Sequence, residues 1–543
     1  MKLVILSLLA AASDAVLGQV TERPDSDHVT VQTSTGSFTG LIDPKFPNTL
    51  QFRAIPFAKP PVLERRWLAP QKLSSSSSEH HYATRFPPSC PQFVTAVTSL
   101  WNQNLTKGNL IYNGNQNDSS GLVGEATSED CLYLAVWMPK RAAAPRADAG
   151  LPVLFFMTGG GFVIGGVDIP WQLPPSWVER SQSHIVVTIN YRLNIFGFPN
   201  ARGLEGGDQN LGILDQRAAL EWVRDNIAAF GGDPNRITQW GRSAGSISAD
   251  IHAYAFHEEP IAQAYWLQSG TIFSVSAVAD PTYSNFTFVA RHVGCDAPSG
   301  DDDDEDGAAE LDCMRRVPFA QIENFIGQYG DRGETPALSF SLIPDDRIVF
   351  TDYEARSEAG KIARLPAIIS ATANEFSSLV PYPVDNLTAG PYQPAVDAGT
   401  ISFGVCPTFN STVYRNRMGA DVPVFRFQYA GTFPNLNYYK WLGAYHASDA
   451  PIAFGTYRLL DHIANTTTLE IEVSNSMQDH VLAFVKDPYH GPQTAMGWKP
   501  MVVSDPHGGD LIRFGANGKV SERVDGVEVD GVCQGIREYN PFP

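Results

Sequence analysis

The sequence contains little that could hold it in a membrane. The apolar run Leu3–Ala12 follows Lys2 and is about ten residues long, whereas a helix that crosses a bilayer needs roughly 20. The small residues Ser13, Ala15 and Gly18 follow, and this succession is typical of a signal peptide. We therefore expect a signal peptide over residues 1–18, a secreted, extracellular protein, and neither a transmembrane nor a lipid-linked anchor.

Positive charge is also scarce. The 543 residues include 39 lysines and arginines against 58 aspartates and glutamates, for a formal net charge of -19. An acidic surface repels phosphate backbones, so nucleic acid is not an expected partner. The acidic run Asp301–Asp306 lacks the ligand spacing of a calcium-binding EF-hand, and we interpret it as a solvated loop tip. We expect neither a metal ion nor a cofactor.

Cysteine is limited to six residues, an even number that an exported chain can hold in disulfides. Six cysteines allow many pairings, and their positions alone do not choose among them. Six Asn-x-Ser/Thr triplets agree with export, because such triplets are glycosylation signals in secreted proteins. The candidate glycosylation sites are Asn104, Asn117, Asn285, Asn386, Asn410 and Asn465.

No long linker and no repeat of fixed period divides the chain, so we predict a single domain over residues 19–543. Short apolar runs at Leu151–Met157, Ile185–Asn190 and Ile237–Trp240 predict strands. Helical spacing lies between them, most clearly over Gln216–Phe230. Strands that alternate with helices indicate an α/β fold with a mostly parallel sheet covered on both faces.

The strongest chemical signal is Gly241-Arg-Ser-Ala-Gly245, a G-x-S-x-G motif. Two glycines let a strand turn sharply into a helix while the serine hydroxyl stays exposed. The motif follows a predicted strand and opens a helix-like stretch, and the chain has no second copy. These features favour Ser243 as a nucleophile over a chance match to the motif.

Three further segments carry residue types that a nucleophilic serine needs. Gly159-Gly160-Gly161 follows a predicted strand, and glycine lets backbone N–H groups approach a developing oxyanion. A base and an acid should follow the serine in the order Ser, Asp or Glu, His. His446, in a small-residue turn, and Glu375, just after an apolar run, are the leading candidates. With twelve histidines in the chain, spacing alone does not decide the base.

At these residues the chain resembles the type-B carboxylesterase/lipase family, which includes cholinesterases and secreted fungal esterases. The resemblance runs from about Gly36 to about Gly535. The segments that carry it are Phe52-Arg-Ala-Ile-Pro-Phe-Ala, Ser128-Glu-Asp-Cys-Leu-Tyr-Leu, the Gly159 loop, Asn190-Tyr-Arg, Asn210-Leu-Gly-Ile-Leu-Asp-Gln, Phe230-Gly-Gly-Asp-Pro, the G-x-S-x-G motif and Gly443-Ala-Tyr-His446.

The resemblance implies an α/β-hydrolase fold and hydrolysis of carboxylic esters, with a small-molecule or lipid ester as substrate. The implied triad is Ser243, Glu375 and His446. The implied oxyanion donors are the N–H groups of Gly160, Gly161 and Ala244. The implied disulfides are Cys90–Cys131, Cys295–Cys313 and Cys406–Cys533.

One departure from the family pattern leads to a specific expectation. Arg242 stands where the family usually has Glu, and Asp449 stands three residues after His446, where the family also has an acid. The resemblance places these two positions close together beside the site. Because an unpaired cation would oppose the imidazolium that catalysis forms, we expect Arg242 and Asp449 to form an ion pair.

Three alternatives remain. A lipase for long-chain acylglycerols is one, because Phe93, Val97, Leu100 and Trp101 would share one face of a lid-like helix. A non-catalytic binding member of the same fold is another, although all three triad positions carry suitable residues. A cholinesterase is disfavoured because Gly114 to Asp130 lacks the tryptophan that those enzymes use to bind a quaternary amine.

Overall fold

A computed structural model describes residues 29–74, 79–101, 121–124, 126–143, 150–275, 280–295 and 307–543. The predicted signal peptide, Asn104, Asn117 and the run Asp301–Asp306 lie outside these ranges. No helix in these ranges is both long enough and apolar enough to span a bilayer.

The strands alternate with helices along most of the chain, as the sequence predicts. The strands are β1 (Thr30–Thr33), β2 (Gly36–Thr39), β3 (Leu41–Ile42), β4 (Thr49–Pro56), β5 (His80–Tyr82), β6 (Phe93–Val94), β7 (Leu122–Val123), β8 (Tyr133–Pro139), β9 (Leu151–Met157), β10 (Ile185–Ile189), β11 (Gly232–Arg242), β12 (Ala264–Gln268), β13 (Ala367–Thr372), β14 (Val424–Tyr429), β15 (Asp510–Phe514) and β16 (Ser521–Asp525). The helices are α1 (Pro175–Ser181), α2 (Asn194–Gly197), α3 (Leu211–Asn226), α4 (Ala244–Ala255), α5 (Ser284–His292), α6 (Ala308–Arg316), α7 (Phe319–Asp331), α8 (Tyr353–Glu358), α9 (Gln393–Gly399), α10 (Cys406–Asn416), α11 (Ala450–Phe454), α12 (Thr468–Lys486), α13 (Gly491–Met496) and α14 (Val527–Asp530).

In the described part of the chain, the largest sheet has eleven strands in the order β16-β15-β14-β13-β12-β11-β9-β10-β8-β4-β3. The seven neighbouring strands from β15 to β10 in this order run parallel, and the outer pairings are antiparallel. The carboxyl ends of β9, β11 and β13 therefore meet at one edge, where open α/β sheets place their ligands. The predicted α/β fold class is confirmed.

The central strands are buried on both faces, which explains why they read as continuous apolar runs. Along β9, Val153, Phe155 and Met157 join the core on one face, while Leu154 and Phe156 join the core on the other. Helices α3 and α4 contribute to the first core and α12 to the second. This two-sided burial fixes the sheet as a rigid base for the loops at its edge.

The prediction of a lid-like helix that includes Phe93 is wrong for its first residues. Phe93–Val94 form the short strand β6, which pairs antiparallel with β7. The Phe93 ring lies so close to Gly327 that a β-carbon on that glycine would come within 2.0 Å of it. The cross-strand pairing and this packing against α7 override the helical spacing of the apolar residues.

The three disulfides join Cys90 to Cys131, Cys295 to Cys313 and Cys406 to Cys533. These are the pairs that the family resemblance implies. Two of the described sequon asparagines, Asn386 and Asn465, are exposed, whereas Asn285 and Asn410 are half-buried.

Candidate active site

Ser243 lies at a tight turn between the end of β11 and the start of α4. Its backbone has φ 54° and ψ −123°, a conformation that most side-chain-bearing residues avoid. The flanking glycines permit this turn because a β-carbon on Gly241 would come within 2.0 Å of the Gly245 carbonyl oxygen. One on Gly245 would come within 2.1 Å of the Met157 carbonyl oxygen. The G-x-S-x-G spacing therefore follows from the close approach of β9, β11 and α4.

The glycine-rich loop after β9 packs directly against this turn. A β-carbon on Gly159 would lie 2.5 Å from the Arg242 carbonyl oxygen and 2.8 Å from Ser243 Cβ. In the described part of the chain, the N–H groups of Gly160, Gly161 and Ala244 donate to no acceptor. Backbone donors left without partners beside a serine are suited to bind a negatively charged oxygen.

Side chains from other segments hold this loop in place. The Tyr191 hydroxyl donates to the Thr158 carbonyl at 2.9 Å. The Gln92 amide donates to the Gly165 carbonyl at 2.9 Å and accepts from the Gly165 N–H at 3.1 Å. The loop is therefore anchored at both ends, which keeps its N–H groups in a fixed arrangement.

The side chains of Glu375 and His446 are in direct contact. His446 Nδ1 lies 2.5 Å from Glu375 Oε2, and the Thr372 N–H donates to Glu375 Oε1 at 2.7 Å. Glu375 is fully buried. Burial opposes its ionisation, but His446 and the Thr372 N–H hold the pKa of the carboxyl below its ordinary value. A carboxylate is therefore placed to fix the imidazole orientation.

Backbone contacts join the segments that carry these two residues. The Asn374 N–H donates to the Ala444 carbonyl at 2.9 Å, and the His446 N–H donates to the Glu375 carbonyl at 3.2 Å. A β-carbon on Gly404 would lie 2.8 Å from Glu375 Cγ, so the segment after α9 also closes over the carboxylate. The pair is thus positioned by nonlocal contacts that no local sequence pattern specifies.

Ser243 and His446 line one cavity of about 310 Å³. Among the described residues, Ser243 Oγ and His446 Nε2 are not joined by a hydrogen bond. Such contacts are often long before substrate binds. Much of the lining is apolar, and of its apolar side chains the sequence indicates only Trp101, as part of a lid-like helix. The lining residues are Trp101, Gly159, Gly160, Gly161, Ile164, Gly165, Ile169, Arg242, Ser243, Leu379, Phe403 and His446.

The expected ion pair between Arg242 and Asp449 is wrong, since neither side chain makes a salt bridge among the described residues. Asp449 Oδ2 instead accepts from the Gln268 amide at 2.7 Å, and Gln268 Oε1 accepts from Trp240 Nε1 at 2.8 Å. A neutral amide therefore binds one oxygen of this carboxylate, while Asp449 Oδ1 is buried without a hydrogen-bond partner among the described residues. The two charges act on each other only over a longer distance.

Asp449 makes the stability of the fold depend on pH. Burial raises its pKa to about 6, and the Gln268 hydrogen bond opposes the rise. Because the folded pKa is above that of an unfolded aspartate, its contribution is most favourable at low pH and is lost as pH rises through about 6.

We expect Asp449→Asn to remove this dependence, since Asn is neutral throughout. Its free energy of unfolding relative to the unaltered protein should rise by roughly 1–2 kcal/mol between pH 5 and pH 8, as one pKa unit corresponds to about 1.4 kcal/mol. Urea titrations of both proteins at the two pH values measure the difference. A difference that is the same at both values would contradict this assignment of Asp449.

Comparisons with known proteins agree with this geometry. The model of the Carboxylesterase family matches residues 27–393, more than half of the chain. The chain belongs to the carboxylesterase family. "Secreted lipase 5" of Gibberella zeae is 34% identical over 540 residues, which cover 96% of this chain and 95% of the relative. "Chlorogenic acid esterase" of Aspergillus niger is 35% identical over 542 residues, which cover 98% of this chain and 99% of the relative.

A third relative, "Lipase 1" of Geotrichum candidum, is 31% identical over 404 residues, which cover 71% of this chain and 68% of the relative. The resemblance predicted from the sequence motifs is thereby confirmed. The family and the names of these relatives identify the protein as a carboxylic ester hydrolase with an α/β-hydrolase fold.

Proposed function

We propose that Ser243, Glu375 and His446 form a catalytic triad that cleaves carboxylic esters through an acyl-enzyme on Ser243. The observation that carries this proposal is the 2.5 Å contact between His446 Nδ1 and Glu375 Oε2, with His446 lining the same cavity as Ser243. A base oriented by a buried carboxylate, beside a serine at a tight turn that lines the same cavity, is the arrangement that nucleophilic catalysis requires.

In the first step His446 Nε2 takes the proton of the Ser243 hydroxyl as its oxygen attacks the ester carbonyl carbon. Glu375 accepts from Nδ1–H and stabilises the imidazolium that results. The carbonyl oxygen becomes an oxyanion, and the N–H groups of Gly160, Gly161 and Ala244 donate to it. His446 then protonates the alcohol oxygen, the C–O bond breaks, and the alcohol leaves.

In the second step water attacks the acyl-enzyme. His446 takes a proton from the water as its oxygen adds to the acyl carbon, and the same N–H groups stabilise the second oxyanion. The proton passes from His446 to Ser243 Oγ as the C–O bond to the serine breaks. The acid product leaves, and the enzyme is restored.

The size of the cavity favours short or medium esters. At about 310 Å³ it lies at the low end of the range of roughly 300–1,000 Å³ for ligand pockets, and apolar side chains provide much of its lining. The alternative is a lipase for long-chain acylglycerols, a substrate class suggested by relatives whose names include lipase.

A series of p-nitrophenyl esters of rising acyl length tests this choice. We expect kcat/KM to peak at short or medium acyl chains of about 4–8 carbons and to fall for palmitate, because a long chain would extend beyond the apolar cavity. The same preparations should be assayed on an emulsified triacylglycerol. Preference for palmitate together with turnover of the emulsion would favour the lipase.

We also propose that the protein is secreted as one domain over residues 19–543 after removal of a signal peptide over residues 1–18. Relatives named as secreted and three disulfides support export. Asn386 and Asn465 are exposed, so the folded protein has room for a glycan at both. N-terminal sequencing and glycopeptide mapping of the exported protein test these assignments.

A further inference from the structure

Arg242 lines the cavity, and no carboxylate of the described residues forms a salt bridge with it. Its side chain is only 6% exposed, and its Nε is buried without a hydrogen-bond partner among the described residues. In the same part of the chain it makes no salt bridge, and it is the one permanently charged side chain that lines the cavity. A desolvated charge without a counter-ion is costly, so this position calls for an external anion.

The neighbouring carboxylates do not supply that anion. Glu375 is bound by His446 and the Thr372 N–H, and Asp449 is bound by Gln268. Both act on Arg242 through space but neither contacts it. Among the described residues the guanidinium therefore has no carboxylate in contact with it, although Arg242 lines the cavity.

We propose that Arg242 binds a carboxylate carried by the ester substrate, an inference that rests on the proposed hydrolysis at Ser243. A guanidinium presents paired donors that match a carboxylate, and it is the side chain that best keeps its charge when buried. The apolar side chains of Ile164, Ile169 and Phe403 line the same cavity, and less polar surroundings strengthen such a contact. The preferred substrate class is thus an ester that also bears a free carboxylate.

The same contact would assist the chemical step. Arg242 is adjacent in sequence to Ser243 and shares its cavity with His446, so its field opposes formation of the imidazolium. A carboxylate bound to the guanidinium cancels much of that field. An anionic ester should therefore gain in kcat as well as in KM over a neutral ester of the same shape.

The carboxylate could belong to the alcohol or to the acyl group, and two matched substrate pairs distinguish these sources. Chlorogenic acid and its methyl ester differ in a charge on the alcohol. Ethyl hydrogen succinate and ethyl 4-methylpentanoate differ in a charge on the acyl group, because an isopropyl group replaces the carboxylate. The readout is the anionic-to-neutral ratio of kcat/KM within each pair.

In the unaltered protein we expect this ratio to reach about 10–100 in at least one pair, the range of a hydrogen bond to a charged group. Arg242→Gln should lower that ratio at least about tenfold while still hydrolysing the neutral partner, which shows that it folds. Arg242→Lys should keep part of the preference for the anionic ester, because lysine keeps the charge but lacks the paired N–H donors of the guanidinium. Arg364→Gln removes an exposed charge before β13, at the opposite edge of the sheet, and should leave the ratio unchanged.

Two results would overturn the inference while leaving the ester hydrolase intact. One is a ratio below one in both pairs in the unaltered protein, which needs no variant and so does not depend on folding. The other is a ratio in Arg242→Gln within about twofold of the unaltered protein in both pairs, against the tenfold change expected for a charged contact. Hydrolysis of none of the four esters would overturn the proposed function and this inference together.

Discussion

Ser243→Ala is expected to lower kcat for ester hydrolysis by at least about a thousandfold, because it removes the oxygen that attacks the carbonyl. The residue fills a tight turn, and alanine keeps its β-carbon, so the fold should be preserved. The measurement is kcat on a short p-nitrophenyl ester, together with the thermal unfolding midpoint. Activity within about tenfold of the unaltered protein would exclude Ser243 as the nucleophile.

Ser248→Ala is the matched control for this substitution. Ser248 lies on the same helix α4 but is fully buried, donates to the Ala244 carbonyl and accepts from Gln216. It does not line the cavity. Removal of the Ser248 hydroxyl should reduce the free energy of unfolding modestly and leave kcat close to that of the unaltered protein. A large loss of kcat in both variants would point to disruption of the helix rather than loss of a nucleophile.

Glu375→Gln is expected to lower kcat by about 10³–10⁴-fold with little change in KM. The carboxylate fixes the imidazole so that Nε2 can accept the serine proton, and it stabilises the imidazolium that follows. An amide carries no charge, and its NH₂ group can hold His446 in the wrong tautomer. Because Glu375 is fully buried and does not line the cavity, substrate binding should be nearly unaffected.

Glu323→Gln is the control for the same chemical change at another buried glutamate. Glu323 is 2% exposed, and burial raises the pKa of its carboxyl well above the ordinary value. Burial therefore favours the neutral acid, and a neutral amide resembles that form in charge and shape. We expect nearly full activity from this variant. If both substitutions reduce kcat equally, or if Glu375→Gln acts mainly on KM, the role of Glu375 in the triad is wrong.

The strands that position the nucleophile could be predicted because they carry strong local patterns. The expected run Leu151–Met157 matches β9, and Ile185–Asn190 extends one residue past β10. The run Ile237–Trp240 captures only part of β11, which begins at Gly232. The first half of β11 is polar and so gives no apolar pattern in the sequence. Its register against β9 shifts between Gly232 and Ile237.

The walls of the cavity could not be predicted, because they come from distant segments without a shared motif. Trp101 follows β6 and donates to the Ser378 carbonyl at 3.0 Å. Phe403 lies in the Thr400–Val405 segment, and its ring packs edge-on against His446 with centroids 5.7 Å apart. Burial of these side chains around one space is a tertiary outcome that single-residue patterns do not specify.

The Arg242 expectation failed for a similar reason. The sequence places a cation and an acid at two positions that the family brings together, and direct pairing is the simplest electrostatic solution. Instead, the Gln268 amide donates a hydrogen bond to Asp449, and the Gln268 side-chain oxygen accepts one from Trp240. Nothing in the sequence around Gln268 marks it as a partner of residue 449, which is far away along the chain.

The central claim is that the acyl group is transferred to Ser243, and covalent labelling tests it most directly. The unaltered protein should be treated with a fluorophosphonate, digested and mapped by mass spectrometry. We predict one phosphonate group, located on Ser243, in step with loss of esterase activity, and no adduct in Ser243→Ala. An adduct on another residue, or full ester hydrolysis by a protein that the phosphonate does not label, would contradict the proposed mechanism.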